Sequence, residues 1–288
     1  MRRFTRFACI DWSGAAGDRQ PGIAVAECGP GDDPPHLVGD PGRWSRPAVL
    51  DWLLTRADEA ADLLVGVDFS ASFPFADRRA FFPGWPLSPP DARALWALVD
   101  ALADDEPHLA ANRFVDHEDA APHFRRHGGR EGPLFGGGIG RMRVVEQRTR
   151  PGPASCFNLV GAKQVGKSSL TGMRLLHRLG RRIPVWPFDP PPERGPLIVE
   201  VYTGIAALAA GLPRNRTKAR DAAALARALQ AFGVAAPPPL DRCDDHSTDA
   251  IITAAWLRRA SARPALWRPA APFSPMIAAT EGWTFGVP

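Results

Sequence analysis

Four acidic residues stand where this sequence changes character. Asp11 ends the apolar run Phe7-Ala8-Cys9-Ile10, Asp68 ends Leu63-Leu64-Val65-Gly66-Val67, and Glu200 interrupts the run that begins at Leu197. Asp249 lies in a late helical stretch whose start also holds Asp244 and Asp245. A carboxylate buried at a strand end is costly unless it is paired or metal-bound, and these runs carry no Lys or Arg of their own. Convergence on a shared divalent cation would relieve that cost. Oxygen-only ligands select Mg²⁺ or Mn²⁺, and two such ions about 4 Å apart can activate water and stabilise the leaving oxygen of a phosphodiester. A plainer alternative stands beside this one. Strand-end acids also cap helices or pair with distant arginines, and Asp244, Asp245 and Ser247 all have N-cap chemistry. His246 is a secondary candidate, as base or ligand.

An α/β scaffold must hold these residues. The runs at 7–10 and 22–26 predict a hairpin that opens the fold. A helical pattern from Trp44 to Leu63 feeds the apolar strand 63–67, which predicts a sheet covered on both faces. Further helices are expected at 91–102, 221–232 and 248–260, with a strand at 197–202. Residues 75–150 read as an insertion or mobile flap within a single domain spanning 1–288. From His123 to Arg150 that segment holds seven Arg against Glu131 and Glu146, a composition that could guide a phosphate backbone.

The run Gly161-Ala162-Lys163-Gln164-Val165-Gly166-Lys167-Ser168 satisfies G-x-x-x-x-G-K-[ST], with Val160 before it and a helical pattern after it. In a phosphate-binding loop its backbone N–H groups would cradle phosphates, Lys167 would reach the terminal ones and Ser168 would hold Mg²⁺. That makes an ATP- or GTP-binding protein the rival to a metal-dependent hydrolase. In a further version the run is only a tight turn whose Lys163 and Lys167 touch a nucleic-acid backbone. A catalytically inert scaffold that binds nucleic acid or protein is the remaining alternative.

Composition excludes some classes. Hydrophobic residues make up 45% and charged residues 23%, so neither wholesale disorder nor an integral membrane protein fits. Asp11 cuts the first apolar run before a signal-peptide core could form, which predicts a cytoplasmic protein with no membrane partner. Cys9, Cys28, Cys156 and Cys243 lie far apart and are expected as reduced core thiols. The net charge of +4 is compatible with a polyanionic partner but does not select one. Lysine is rare: Lys163, Lys167 and Lys218 are the only three among 35 basic residues, the rest being Arg.

Several short motifs taken as a series carry a resemblance. Asp11-Trp12-Ser13-Gly14-Ala15, Val67-Asp68-Phe69-Ser70, Glu200-Val201-Tyr202, Asp245 to Asp249-Ala250 and Glu281-Gly282-Trp283 resemble a domain-of-unknown-function family described as predicted ribonuclease-H-like nucleases. The resemblance covers most of the chain outside 75–150. It implies a mixed sheet led by antiparallel strands, with helices on both faces. It also implies a metal-dependent nuclease in which Asp11 bridges Mg²⁺ or Mn²⁺ ions, Asp68 ligates one, and Asp249 or Asp245 completes the site. Glu200 matches the acidic strand as ligand or base. Ser13, Ser70, Lys163, Lys167, Lys218 and Arg220 are then expected to contact a nucleic-acid substrate.

Overall fold

Along each central strand the side chains alternate between two separate apolar clusters, as a pleated strand buried on both faces requires. In β1 (Arg6–Asp11) Ala8 and Ile10 join one cluster and Phe7 and Cys9 the other; in β4 (Leu63–Asp68) Leu63, Val65 and Val67 oppose Leu64. With β2 (Ala24–Cys28), β3 (His36–Leu37), β5 (Val185–Trp186) and β6 (Leu197–Glu200) they form a six-stranded mixed sheet of order β3-β2-β1-β4-β6-β5. β2 runs antiparallel to β1 and β3, whereas β4, β6 and β5 run parallel to β1. The computed structural model describes residues 4–40, 43–149, 154–161, 164–214, 217–234, 240 and 243–288.

Among the described residues there are ten α-helices: α1 (Arg46–Asp58), α2 (Ala92–Leu102), α3 (Asn112–Asp116), α4 (Val144–Arg148), α5 (Gly166–Leu179), α6 (Thr203–Ala209), α7 (Ala222–Gln230), α8 (Asp245–Ala260), α9 (Pro264–Trp267) and α10 (Pro275–Thr280). The cluster on one face takes in residues of α1, α2 and α5, and the cluster on the other takes in residues of α6, α7 and α8. The expected hairpin, the helix feeding β4 and the sheet covered on both faces are all present. The short β3 and β5 carry too few residues to show a period and were not legible.

Helix α8 is the central post of its layer. Asp244 caps it, its Oδ1 accepting from the backbone N–H groups of His246 and Ser247 at 3.0 Å each. From Ser247 to Arg258 every residue is buried, the pattern of a helix enclosed by protein on all sides. Gly66 lets it approach β4, since a Cβ there would lie 2.8 Å from Leu257 Cδ1. On the opposite face α5 closes on Phe69, and a Cβ on Gly172 would stand 2.4 Å from that ring. Gly172→Ala is therefore expected to cost about 1–3 kcal/mol through overpacking, despite alanine's better helix propensity. A lowered midpoint in urea denaturation checks this, and a raised one would show that the contact is slack.

Much of residues 75–150, read from sequence as an insertion or mobile flap, packs into the core. Phe81, Phe82, Phe114, Phe124 and Phe135 are buried in the same cluster as β1 and β4, and Phe82 meets Phe114 and Phe157 edge to face at 5.5 and 5.9 Å. The aromatic content of the segment anchors it to the core. Two of its seven arginines are withdrawn from any substrate. Arg141 gives its guanidinium to Asp77 and to the carbonyls of Phe81, Pro74 and Ala80, and Arg143 is buried in an ion-pair network. No helix among the described residues is long and apolar enough to cross a membrane. Cys9, Cys28 and Cys156 are buried free thiols, and Cys243 is a partly exposed one.

Candidate acidic site

Asp11 and Asp68 are register partners at the ends of β1 and β4. Parallel strands lie about 4.8 Å apart, so the two carboxylates stand side by side. By strand parity both turn to the face that α8 covers, the face of Phe7, Cys9 and Leu64. Asp249, in the second turn of α8, meets them there. Thr203, at the start of α6, ties two of the acids together: its N–H and Oγ1 donate to Asp68 at 3.4 and 3.2 Å, and Oγ1 lies 3.5 Å from Asp249 Oδ2. The Lys218 ammonium contacts Asp249 directly. His246 donates from Nδ1 to Asp11 Oδ1 at 3.0 Å.

The electrostatics are those of acids with too little positive charge around them. Burial, then the charges of Asp11 and Asp249, pushes Asp68 from the ordinary 3.8 up to about 8. Burial raises Asp249 to about 6 even with Lys218 alongside, and it raises Asp11 against the opposing bond from His246. Burial lowers the Lys218 ammonium, but Asp249 outweighs it and leaves the group firmly charged. His246 rises because its bond to Asp11 favours the protonated ring.

A pH trend follows. An acid whose folded pKa lies above its unfolded one favours the folded state fully at low pH and loses that contribution as pH climbs through the folded value. Without divalent metal, stability is therefore expected to decline between about pH 4 and pH 8, as unfolded Asp68 and Asp249 ionise while the folded ones hold their protons. Asp77 and Asp100, held low against burial by Arg141 and by Arg178 and Arg174, act oppositely and are lost as pH falls. Thermal melts in chelator across that range check the decline; a flat profile in both wild type and Asp68→Asn would contradict it.

Glu200 does not join the other acids. Within β6, Leu197 and Val199 face the α8 layer and Ile198 faces the other one, so Glu200 turns away from Asp11, Asp68 and Asp249. Its carboxylate is fully engaged there. Arg143 donates to it at 2.6 and 2.9 Å, Thr284 Oγ1 at 2.6 Å and the Ala71 N–H at 2.8 Å. Arg143 also donates to Glu146 at 2.9 Å. Glu200 thus anchors Arg143, and it shares with Asp68, Ser70 and Tyr202 the wall of a cavity of about 330 Å³. Asp245 likewise stands apart, bonded to the exposed Arg220 at 3.1 Å.

The expected substrate contacts are scattered. Ser13 lies beside the cluster, since a Cβ on Gly22 would meet both Ser13 Oγ and His246 Nε2 at 3.2 Å. Ser70 shares with Asp68 and Tyr202 the wall of a cavity of about 330 Å³. Lys218 is an ion-pair partner of the acids, and Arg220 pairs with Asp245. Lys167 lines two other cavities of about 310 and 690 Å³. Lys163 falls outside the described residues.

The glycine run lacks the setting of a phosphate-binding loop. Gly166 does open α5, but the described residues before it, 154–161, form no strand of the sheet; only Asn158 makes an isolated bridge, to Arg125. Ser168 spends its hydroxyl on the Val165 carbonyl at 2.8 Å. Gly14 packs against this turn, where a Cβ would come 2.3 Å from the Ser168 nitrogen.

Thr203 and the Asp11–His246 bond were the parts of the site least legible in sequence. Nothing marks Thr203, and His246 gains its place only through the fold. The rarity of lysine was the one signal pointing to Lys218. Among the described residues, no group of three or more His, Cys, Asp or Glu side chains is arranged to enclose a metal ion as it stands. The chain matches no protein-family model, no curated protein and no solved structure.

Proposed function

We propose that this protein is a metal-dependent phosphodiesterase acting on nucleic acid, with Asp11, Asp68 and Asp249 as its metal-binding residues and a fold of the ribonuclease-H-like kind. The observation that carries the reading is the meeting of two buried carboxylates, Asp11 and Asp249, and the half-buried Asp68, from β1, α8 and β4, with the Lys218 ammonium on Asp249. Sheet order supports the fold assignment: three antiparallel strands lead, parallel strands follow, and helices lie on both faces.

The donor set suits Mg²⁺ or Mn²⁺. All three candidate ligands are carboxylates, hard oxygen donors, and burial is the main cause of the raised pKa of each. A bound divalent cation would activate water and neutralise charge on the leaving oxygen. The chain's own residues do the rest. Thr203 fixes the carboxylates of Asp68 and Asp249, and Asp11 holds the His246 ring so that Nε2 stays available to exchange a proton with water or substrate. Incubating the protein with single-stranded and duplex DNA and RNA in Mn²⁺, then in chelator, tests the activity. Cleavage confined to Mn²⁺ and lost in Asp11→Asn is expected; cleavage by Asp11→Asn at the wild-type rate would remove the assignment.

A further inference from the structure

Arg46 is a buried cation with no counter-ion. Ser45 caps α1, its Oγ accepting from the Ala48 N–H at 3.1 Å, and Arg46, the first residue of the helix, is turned into the protein with 1% of its surface exposed. Its guanidinium donates to the carbonyls of Ser13 at 3.0 Å, His108 at 2.8 Å and Ala15. Those bonds occupy three of its five N–H groups and leave two. No carboxylate among the described residues pairs with it, and burial alone lowers it from the ordinary 12.5 to about 10. A buried charge left in this state is costly.

The same side chain lines a cavity of about 310 Å³, at the small end of the range for ligand pockets, about 300–1,000 Å³. The carboxylates on its wall are already engaged. Glu106 accepts from the N–H groups of Asn112 and Arg113 at 3.0 and 2.6 Å, and Asp116 pairs with Arg126. His108 is held by Asp18 at 3.2 Å. Lys167 is exposed, has no carboxylate partner among the described residues, and lines both this cavity and the one of about 690 Å³, so it stands where the two adjoin. Two cations therefore border one small cavity without an anion of their own. The wall is strained as well: His108 and its neighbour Leu109 hold φ values of 57° and 55°, which side chains other than glycine rarely adopt, and strain of this kind clusters at ligand sites. Asp11, Asp68 and Asp249 take no part in this wall.

We propose that this cavity is a second site, which binds a phosphomonoester between Arg46 and Lys167. The charges match, because a phosphomonoester carries about −1.5 to −2 at neutral pH, whereas a carboxylate carries a single charge. The planar guanidinium fork suits phosphate oxygens, and the lysine at the rim adds a point charge from the solvent side. Lys167 thereby gains a role that does not depend on a phosphate-binding loop.

Calorimetric titrations in chelator test the site without engaging metal chemistry. The probes are thymidine 5′-monophosphate, a single-stranded oligonucleotide bearing a 5′-phosphate, and the same strand without it. Wild type is expected to bind both phosphorylated probes saturably, and Lys167→Met to bind them about 10-fold more weakly or worse. Asp11→Asn and Arg181→Met, the latter removing an exposed charge elsewhere, should bind as wild type does. Tighter binding of the phosphorylated strand would place a strand end in the cavity, and tighter binding of the mononucleotide would place a free nucleotide there. Equal binding of the strand with and without its phosphate would overturn the proposal. So would the absence of saturable binding at millimolar probe, or equal affinity in wild type and Lys167→Met. Loss of binding in Asp11→Asn would move the phosphate to the acid site and overturn it too. Arg46→Gln tests the other cation, and the exposed Lys167 decides the matter if that variant does not fold.

Discussion

Arg143→Ala is expected to be the most destabilising single substitution considered for this protein, lowering its stability by about 3–5 kcal/mol. The guanidinium is buried and binds three acceptors: Glu200, Glu146 and the Glu281 carbonyl. Burial lowers and the two carboxylates raise its affinity for the proton, and the carboxylates prevail. Removing it leaves Glu200 and Glu146 buried without a cation, so the loss reflects two stranded charges more than the worth of the bridges themselves. Against a typical total of about 5–15 kcal/mol this is a large fraction. It should depress the melting temperature by more than about 6 °C. Replacing the acids together with the base, as in Arg143→Met with Glu146→Gln and Glu200→Gln, should recover much of the loss. An Arg143→Ala midpoint within the error of wild type would show that the network holds nothing together.

The second large effect falls on chemistry. Asp11→Asn is expected to reduce metal-dependent cleavage more than about 100-fold, beyond the range usual for losing an outer-shell partner, while the fold persists. Asparagine has the shape of aspartate and can still accept from His246 Nδ1, 3.0 Å from the carboxylate it replaces. It also removes a charge whose burial is unfavourable. Metal-free stability is therefore expected to hold or rise, the signature of a residue kept for function at the expense of the fold. Rates and melting curves on the same preparations separate the two effects. A variant that loses activity by unfolding would place Asp11 among the structural residues.

Much of the scaffold was written in local pattern. The apolar runs at 7–10 and 63–67 are long enough to specify strands, and Asp244 before an apolar helical stretch marks the start of α8. Asp11 and Asp68 were legible because each is an acid in the last position of a strand, directly after an apolar run. Glu200 has the same local appearance, yet its partner strand pairs it beside Val67, one residue short of Asp68. A register offset of one turns a side chain to the opposite face, and register depends on pairing that no single strand encodes. The packing of 75–150 was hard to read for a related reason. Its stretch 123–150 is rich in glycine and arginine, whereas its packing is set by scattered phenylalanines such as Phe82 and Phe124, which meet Phe157. The glycine run at 161–168 met a local pattern without the strand that gives the pattern meaning.

Whether Asp11, Asp68 and Asp249 bind a divalent cation decides the proposed function. Calorimetric titration of Mn²⁺ into chelator-treated protein at pH 8, wild type against Asp11→Asn, tests that most directly. Saturable binding by wild type, a rise in its melting temperature with added Mn²⁺, and loss of both in Asp11→Asn are expected. Mn²⁺ binding of equal strength in the two proteins, or none in wild type at millimolar metal, would contradict it.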